Sequence, residues 1–167
     1  MKQIYPPNNY LKDKFTIFLG GSIDMGNCEN WQEKITNDLF NEDVIFLNPR
    51  RKDFDNTQEQ SINNEYFSGQ VNWELSGLEN CDLIVMYLLP GTLSPISLME
   101  IGLFTDVNSK NNDRMIICCP DGFWRKGNIE IVSERYGIKL FDSYDELLKE
   151  IKLRINSRRL RRTPEVY

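Results

Sequence analysis

Two rhythms of apolar and polar positions alternate along the chain. Short, largely apolar runs at residues 15–19, 44–47, 83–89, 115–119 and 139–141 have the length of strands. The third is apolar throughout, as a strand covered on both faces of a parallel sheet must be. Between these runs apolar residues recur at helical spacing. Trp31, Ile35 and Leu39 stand at i, i+4 and i+8, and Tyr144, Leu147, Leu148, Ile151 and Ile155 share one face of a last helix opened by the capping box Ser143-x-x-Glu146. Further helices are expected over about 58–79, with a break near Ser68-Gly69, over 96–106 and around 129–136. Strands alternating with helices through short connections predict a three-layer α/β sandwich. Its centre is a five-stranded parallel sheet in the flavodoxin-like order 2-1-3-4-5. Residues 1–14, with Pro6-Pro7 and Asn8-Asn9, carry no core-forming pattern and read as an N-terminal arm. Residues 15–157 then form a single α/β domain, and 158–167 a basic tail.

Two carboxylates break these rhythms. After the central strand, Pro90-Gly91 makes a turn and Ser94-Pro95 reads as a helix start, with a hydroxyl for the N-cap and proline where its missing N–H costs nothing. The helix that follows is mostly apolar (Leu98, Met99, Ile101, Leu103, Phe104), yet it carries Glu100. Ionised carboxylates are almost never fully buried without a partner, and this junction lies where open α/β sheets bind ligands. In the preceding helix, Phe67, Val71 and Leu78 step by four and then seven, and the position completing that stripe is Glu74. A carboxylate where periodicity asks for a core residue marks a candidate site. In the predicted strand order, the Gly20-Gly21-Ser22 turn and the segment from Ser94 to Glu100 meet at one crevice. The aromatic residues Trp73, Phe123 and Trp124 read as core or interface groups.

Composition narrows the chemistry. The 167 residues suffice for one core, with 40% hydrophobic and 27% charged residues. Histidine is absent, which removes Ser-His-Asp and Cys-His catalysis and histidine zinc sites. The four cysteines, Cys28, Cys81, Cys118 and Cys119, lack metal-ligand spacing and read as reduced core thiols of a cytoplasmic protein. No metal or cofactor is implied. The N-terminus has no apolar leader segment, and no run spans a bilayer, so no membrane partner is expected. The net charge is −5, although residues 152–162 hold six basic residues and no acidic one. An acidic body argues against nucleic acid as a partner. Two neighbouring carboxylates can divide the cleavage of a glycosidic bond, one as nucleophile and one as proton donor to the leaving group.

The string WELSGLENCDLIVMYLLPGTLSPISLMEIGLF resembles nucleoside 2-deoxyribosyltransferases, particularly a branch with FLGGSI (18–23), LNPRR (47–51) and GFWRKGN-x-E (122–130). The resemblance covers roughly residues 15 to 140. It implies that Glu100 is the nucleophile forming a covalent deoxyribosyl-enzyme and that Glu74 assists proton transfer to the base, a position where many relatives have Asp. It implies that Ser94 lies near the sugar 5′ oxygen, where well-known transferases carry Asp, and that Asn128 helps bind the sugar. Gly20, Gly21 and Ser22 would lie near base and sugar, Arg51 and Asp53 would read the base edge, and Tyr167 would reach a neighbouring subunit's site in a homo-oligomer. The implied partners are deoxynucleosides and free nucleobases. A related branch hydrolyses deoxynucleoside 5′-monophosphates with a serine near the Ser94 position, and the same core also suits a nucleotide-binding module without turnover.

Overall fold

The computed structural model describes residues 1–51, 55 and 57–162. Its six-stranded sheet is parallel at every pairing. The strands are β1 (Lys2–Ile4), β2 (Phe15–Gly21), β3 (Val44–Leu47), β4 (Leu83–Tyr87), β5 (Met115–Cys118) and β6 (Lys139–Phe141), in the order β1-β3-β2-β4-β5-β6. The five strands expected from the sequence occupy their expected order. The sixth, β1, is a correction: part of the stretch read as an arm pairs with β3, Lys2 opposite Ile45 and Ile4 opposite Leu47, and Ile4 enters the core. Three residues are too few to show a period of two, so pairing rather than pattern makes this strand.

Alternation in the strands separates two cores. Phe18, Leu47, Ile84, Met86 and Ile117 face one side, and Ile17, Leu19, Phe46, Val85 and Ile116 the other. The first side is covered by α2 (Glu65–Asn80), α3 (Pro95–Phe104) and α4 (Lys126–Tyr136), which contribute Leu78, Ile101 and Ile129. The second is covered by α1 (Trp31–Asp38) and α5 (Tyr144–Arg162), through Trp31, Ile35, Leu147, Ile151 and Ile155. This is the expected three-layer sandwich.

Beyond shifts of one or two residues, the helices differ from expectation in three places. No break occurs at Ser68-Gly69; α2 starts at Glu65 instead, where the Asn64 side chain caps the Phe67 N–H at 3.1 Å. Residues 126–128, expected in a loop, form the first turn of α4. Helix α5 continues through Arg162, so the basic segment begins as helix rather than as tail. The Ser143–Glu146 capping box is present, with side chains 2.8 Å apart.

Candidate active site

The crevice lies at the carboxyl ends of β2 and β4, the neighbouring strands on either side of which the chain runs in opposite directions across the sheet. Strand β2 ends in Gly20 and Gly21; packing is tight at the first and demands glycine at the second. A Cβ on Gly20 would stand 2.7 Å from Met86 Sδ. One on Gly21, at φ +131°, would stand 2.3 Å from the Tyr87 carbonyl. The two glycines therefore let β2 and β4 approach at the mouth of the crevice.

Ser22 follows directly and is fully buried. Its Oγ lies 2.7 Å from Thr92 Oγ1 and 2.7 Å from Ser94 Oγ, and the last two are 3.0 Å apart. The Leu89 N–H donates to Ser22 at 2.9 Å, and Thr92 donates its single hydroxyl proton to the Leu89 carbonyl at 2.9 Å. Two protons remain for three oxygen–oxygen contacts, so the cluster has acceptor capacity to spare. Helix α3 starts at Pro95 as the sequence suggests, but the Ser94 hydroxyl is engaged here and makes no capping bond to it; the residue adopts a left-handed conformation, φ 47° and ψ 47°. Such strain is retained where surrounding bonds hold it.

Helix α3 turns Ser97, Glu100 and Ile101 inward, and Ser97 Oγ donates to the Gly21 carbonyl at 2.9 Å. Glu100 is 6% exposed. Helix α2 presents Gln70, Gly77 and Leu78 as its buried positions, with Glu74 half-buried between them. Gly77 sits against Phe18 and Leu47, which brings this helix close to the sheet. Glu74 accepts from Gln70 Nε2 at 2.5 Å. Among the described residues neither carboxylate is in an ion pair. Burial pushes the Glu74 carboxyl up to about 7 against the pull of Gln70. Burial, then the charge of Glu74, push Glu100 up to about 8. The pair thus holds on to a proton near neutrality.

The remaining predicted positions are more dispersed. Asn128 is exposed in the first turn of α4. Its segment is stitched to the Ser94 loop, because Trp124 Nε1 donates to the Leu93 carbonyl at 3.0 Å and the Gly91 N–H to the Gly122 carbonyl at 3.3 Å. Trp124 is accordingly exposed, whereas Phe123 is core. The Arg51 guanidinium lies over the Tyr66 ring, 4.8 Å from its centroid. With Tyr5, Asn30, Glu33, Asn48 and Arg50 it lines a cavity of about 240 Å³ on the β3 side. A second cavity, about 370 Å³, lies between the Asp24–Glu29 turn and the Leu89–Thr92 loop. Neither lining includes Glu74 or Glu100. Asp53 and Tyr167 lie outside the described residues.

Three residues escape sequence reasoning. Thr92 closes the hydroxyl cluster and Gln70 engages Glu74. Arg50 reaches across the β2–α1 connection to the carbonyls of Gly26, Cys28 and Glu29, at 3.2, 2.9 and 2.8 Å, holding that turn over the crevice. Only Gln70 leaves a trace, four residues before an anomalous glutamate. The cysteines are free, and burial pushes Cys81 and Cys119 up to about 11 and Cys118 up to about 12, so these are inert core thiols. No cluster of metal-ligating side chains occurs among the described residues, and no helix there is long and apolar enough to cross a membrane.

The parallel α/β sandwich thus carries a buried Glu100 and a half-buried Glu74, close enough for the charge of one to act on the other, beside its strand-order switch, where open α/β sheets bind small molecules. The family model described as nucleoside 2-deoxyribosyltransferase like matches residues 14–123. The chain belongs to that family. A solved structure, a conserved protein from Enterococcus faecalis V583, shares the fold with a TM-score of 0.55 at 14% identity, covering 84% of this chain and 99% of the other. No curated protein matches.

Proposed function

We propose that the protein is a nucleoside 2-deoxyribosyltransferase that exchanges the base of 2′-deoxyribonucleosides by double displacement. The observation that carries this reading is the pair itself: two carboxyls without a cation partner among the described residues, one buried and one half-buried, both raised toward neutrality, in a member of this family. A structural ion pair would lower such values rather than raise them. In the first step Glu100 attacks C1′, the C1′–N bond breaks, and Glu74 gives its proton to the departing base. In the second, an incoming base attacks C1′, the ester to Glu100 breaks, and the base's proton returns to Glu74. No cofactor or metal enters either step.

The Ser22, Thr92 and Ser94 cluster would take the sugar end. Its spare acceptor capacity suits a ligand that donates, such as a 5′-hydroxyl, better than a phosphate, which only accepts when ionised. That favours nucleosides over 5′-monophosphates, the substrates of the alternative hydrolase reading. Gly20, Gly21 and Asn128 would border base and sugar. Arg51 and Asp53 would read the base edge, and Tyr167 would serve a neighbouring subunit. Self-association finds support in an outward apolar stripe on α3, Ile96, Met99 and Leu103, continued by Leu93 and Trp124, all at least half exposed.

The test is chromatography of protein incubated with 2′-deoxyinosine and adenine, beside a tube of deoxynucleoside monophosphates in water. Deoxyadenosine formed by wild type and not by Glu100→Ala is the expected result. Free base released from monophosphates alone would replace transfer by hydrolysis. Silence from a full panel of purine and pyrimidine donors, with retained ligand binding, would leave a binding module.

A further inference from the structure

Gln70 stands one turn before Glu74 on α2, so its side chain reaches the carboxylate along the helix surface. It is 6% exposed. Its Nε2 donates to Glu74 Oε1 at 2.5 Å and to the Pro49 carbonyl, just beyond β3, at 3.2 Å. Both amide hydrogens are thereby used. Among the described residues the amide oxygen is buried without a partner, an expensive state for a polar atom. Reversing the amide would not relieve it, since oxygen would then face the Pro49 carbonyl. Pro49 therefore decides which end of the amide meets Glu74, and it presents the nitrogen. A nitrogen donor stabilises the ionised carboxylate over the acid. Glu100 receives no such donor among the described hydrogen bonds, and the negative charge on Glu74 opposes its ionisation.

We propose that Gln70 is a positioning residue of the carboxylate pair: clamped to Pro49, it makes Glu74 the first of the two carboxyls to ionise in the free site, so that the pair's last proton rests on Glu100 until a nucleoside binds. The consequence for turnover rests on the double-displacement reading. Attack requires the opposite distribution, Glu100 ionised and Glu74 protonated. Binding must therefore carry one proton from Glu100 to Glu74, with no net change in the pair, and an empty site holds its nucleophile neutral. Burial and the Gln70 amide are what shift Glu74; burial and Glu74 are what shift Glu100.

The test titrates the two side-chain carboxyls by 13C NMR in the ligand-free protein, assigned with Glu74→Gln and Glu100→Gln. Wild-type Glu74 is expected to lose its proton at lower pH than Glu100. In Gln70→Met, which keeps the length and removes the donor, the Glu74 midpoint rises by about one pH unit or more, the scale of a hydrogen bond to a charged group. The acid limb of kcat/KM moves with it. A purely structural glutamine would lower Tm and leave the midpoint where it was. The reverse order of titration in wild type, or an unmoved midpoint in folded Gln70→Met, overturns the proposal. Should that variant not fold, the wild-type order decides alone. The titration needs no turnover, so the expected order in a protein that exchanges no bases would keep the clamp and discard the transferase.

Discussion

The Ser22 hydroxyl stands 2.7 Å from the Ser94 hydroxyl across 72 residues of chain, joining the end of β2 to the start of α3. This contact, with Thr92 beside it, places an uncharged oxygen cluster where the proposed sugar end would sit. Ser94→Asp puts a negative charge there. Use of deoxynucleoside 5′-monophosphates is expected to fall roughly tenfold or more by like-charge repulsion, with nucleosides affected less. Initial rates on both substrate sets check this, and an equal loss on both would remove Ser94 from the neighbourhood of the 5′ position.

Gly21→Ala is expected to destabilise the fold by roughly 3 kcal/mol or more, because it combines a positive φ with backbone 2.3 Å from the new Cβ. Thermal or urea melts measure it. A variant as stable as wild type would mean that β2 and β4 do not close as described.

Glu100 has a folded value of about 8 against an ordinary 4.5. Between those values the folded chain holds a proton that the unfolded chain has released, so this group's contribution to stability falls as pH rises through the window. Glu100→Gln removes the ionisation. It is expected to stabilise the protein relative to wild type at pH 8.5 more than at pH 5, by on the order of 3 kcal/mol. Melts at the two pH values decide; an equal effect at both would show that Glu100 titrates normally.

Met99 lies in the middle of the outward stripe of α3 and is 50% exposed. If this stripe joins two copies, wild type elutes as an oligomer and Met99→Lys as a monomer by light scattering, since a buried lysine without a partner is costly. A monomeric wild type at tens of micromolar would sink the proposed self-association.

Much of the architecture was legible in the residues themselves. Apolar runs of strand length, separated by helical stripes, predict the layers and the order of five strands, because burial on both faces leaves a local mark. Glu100 was legible for the opposite reason: a lone carboxylate in an apolar helix conflicts with its surroundings. Glu74 showed as a gap in a stripe, although the buried face of α2 runs through Gln70, Gly77 and Leu78 rather than through Phe67 and Val71. What the chain could not show locally was decided by contacts between distant segments. Strand β1 exists because it pairs with β3. Ser94 leaves its capping role because Ser22 and Thr92 compete for its hydroxyl. The glycines of β2 answer first to Met86 and Tyr87 on the next strand. The balance of protons between Glu74 and Glu100 depends on burial and on the Pro49 carbonyl that orients Gln70. Periodicity records which face of an element is buried, but hydrogen bonds and desolvation at a site depend on what the fold brings against that face.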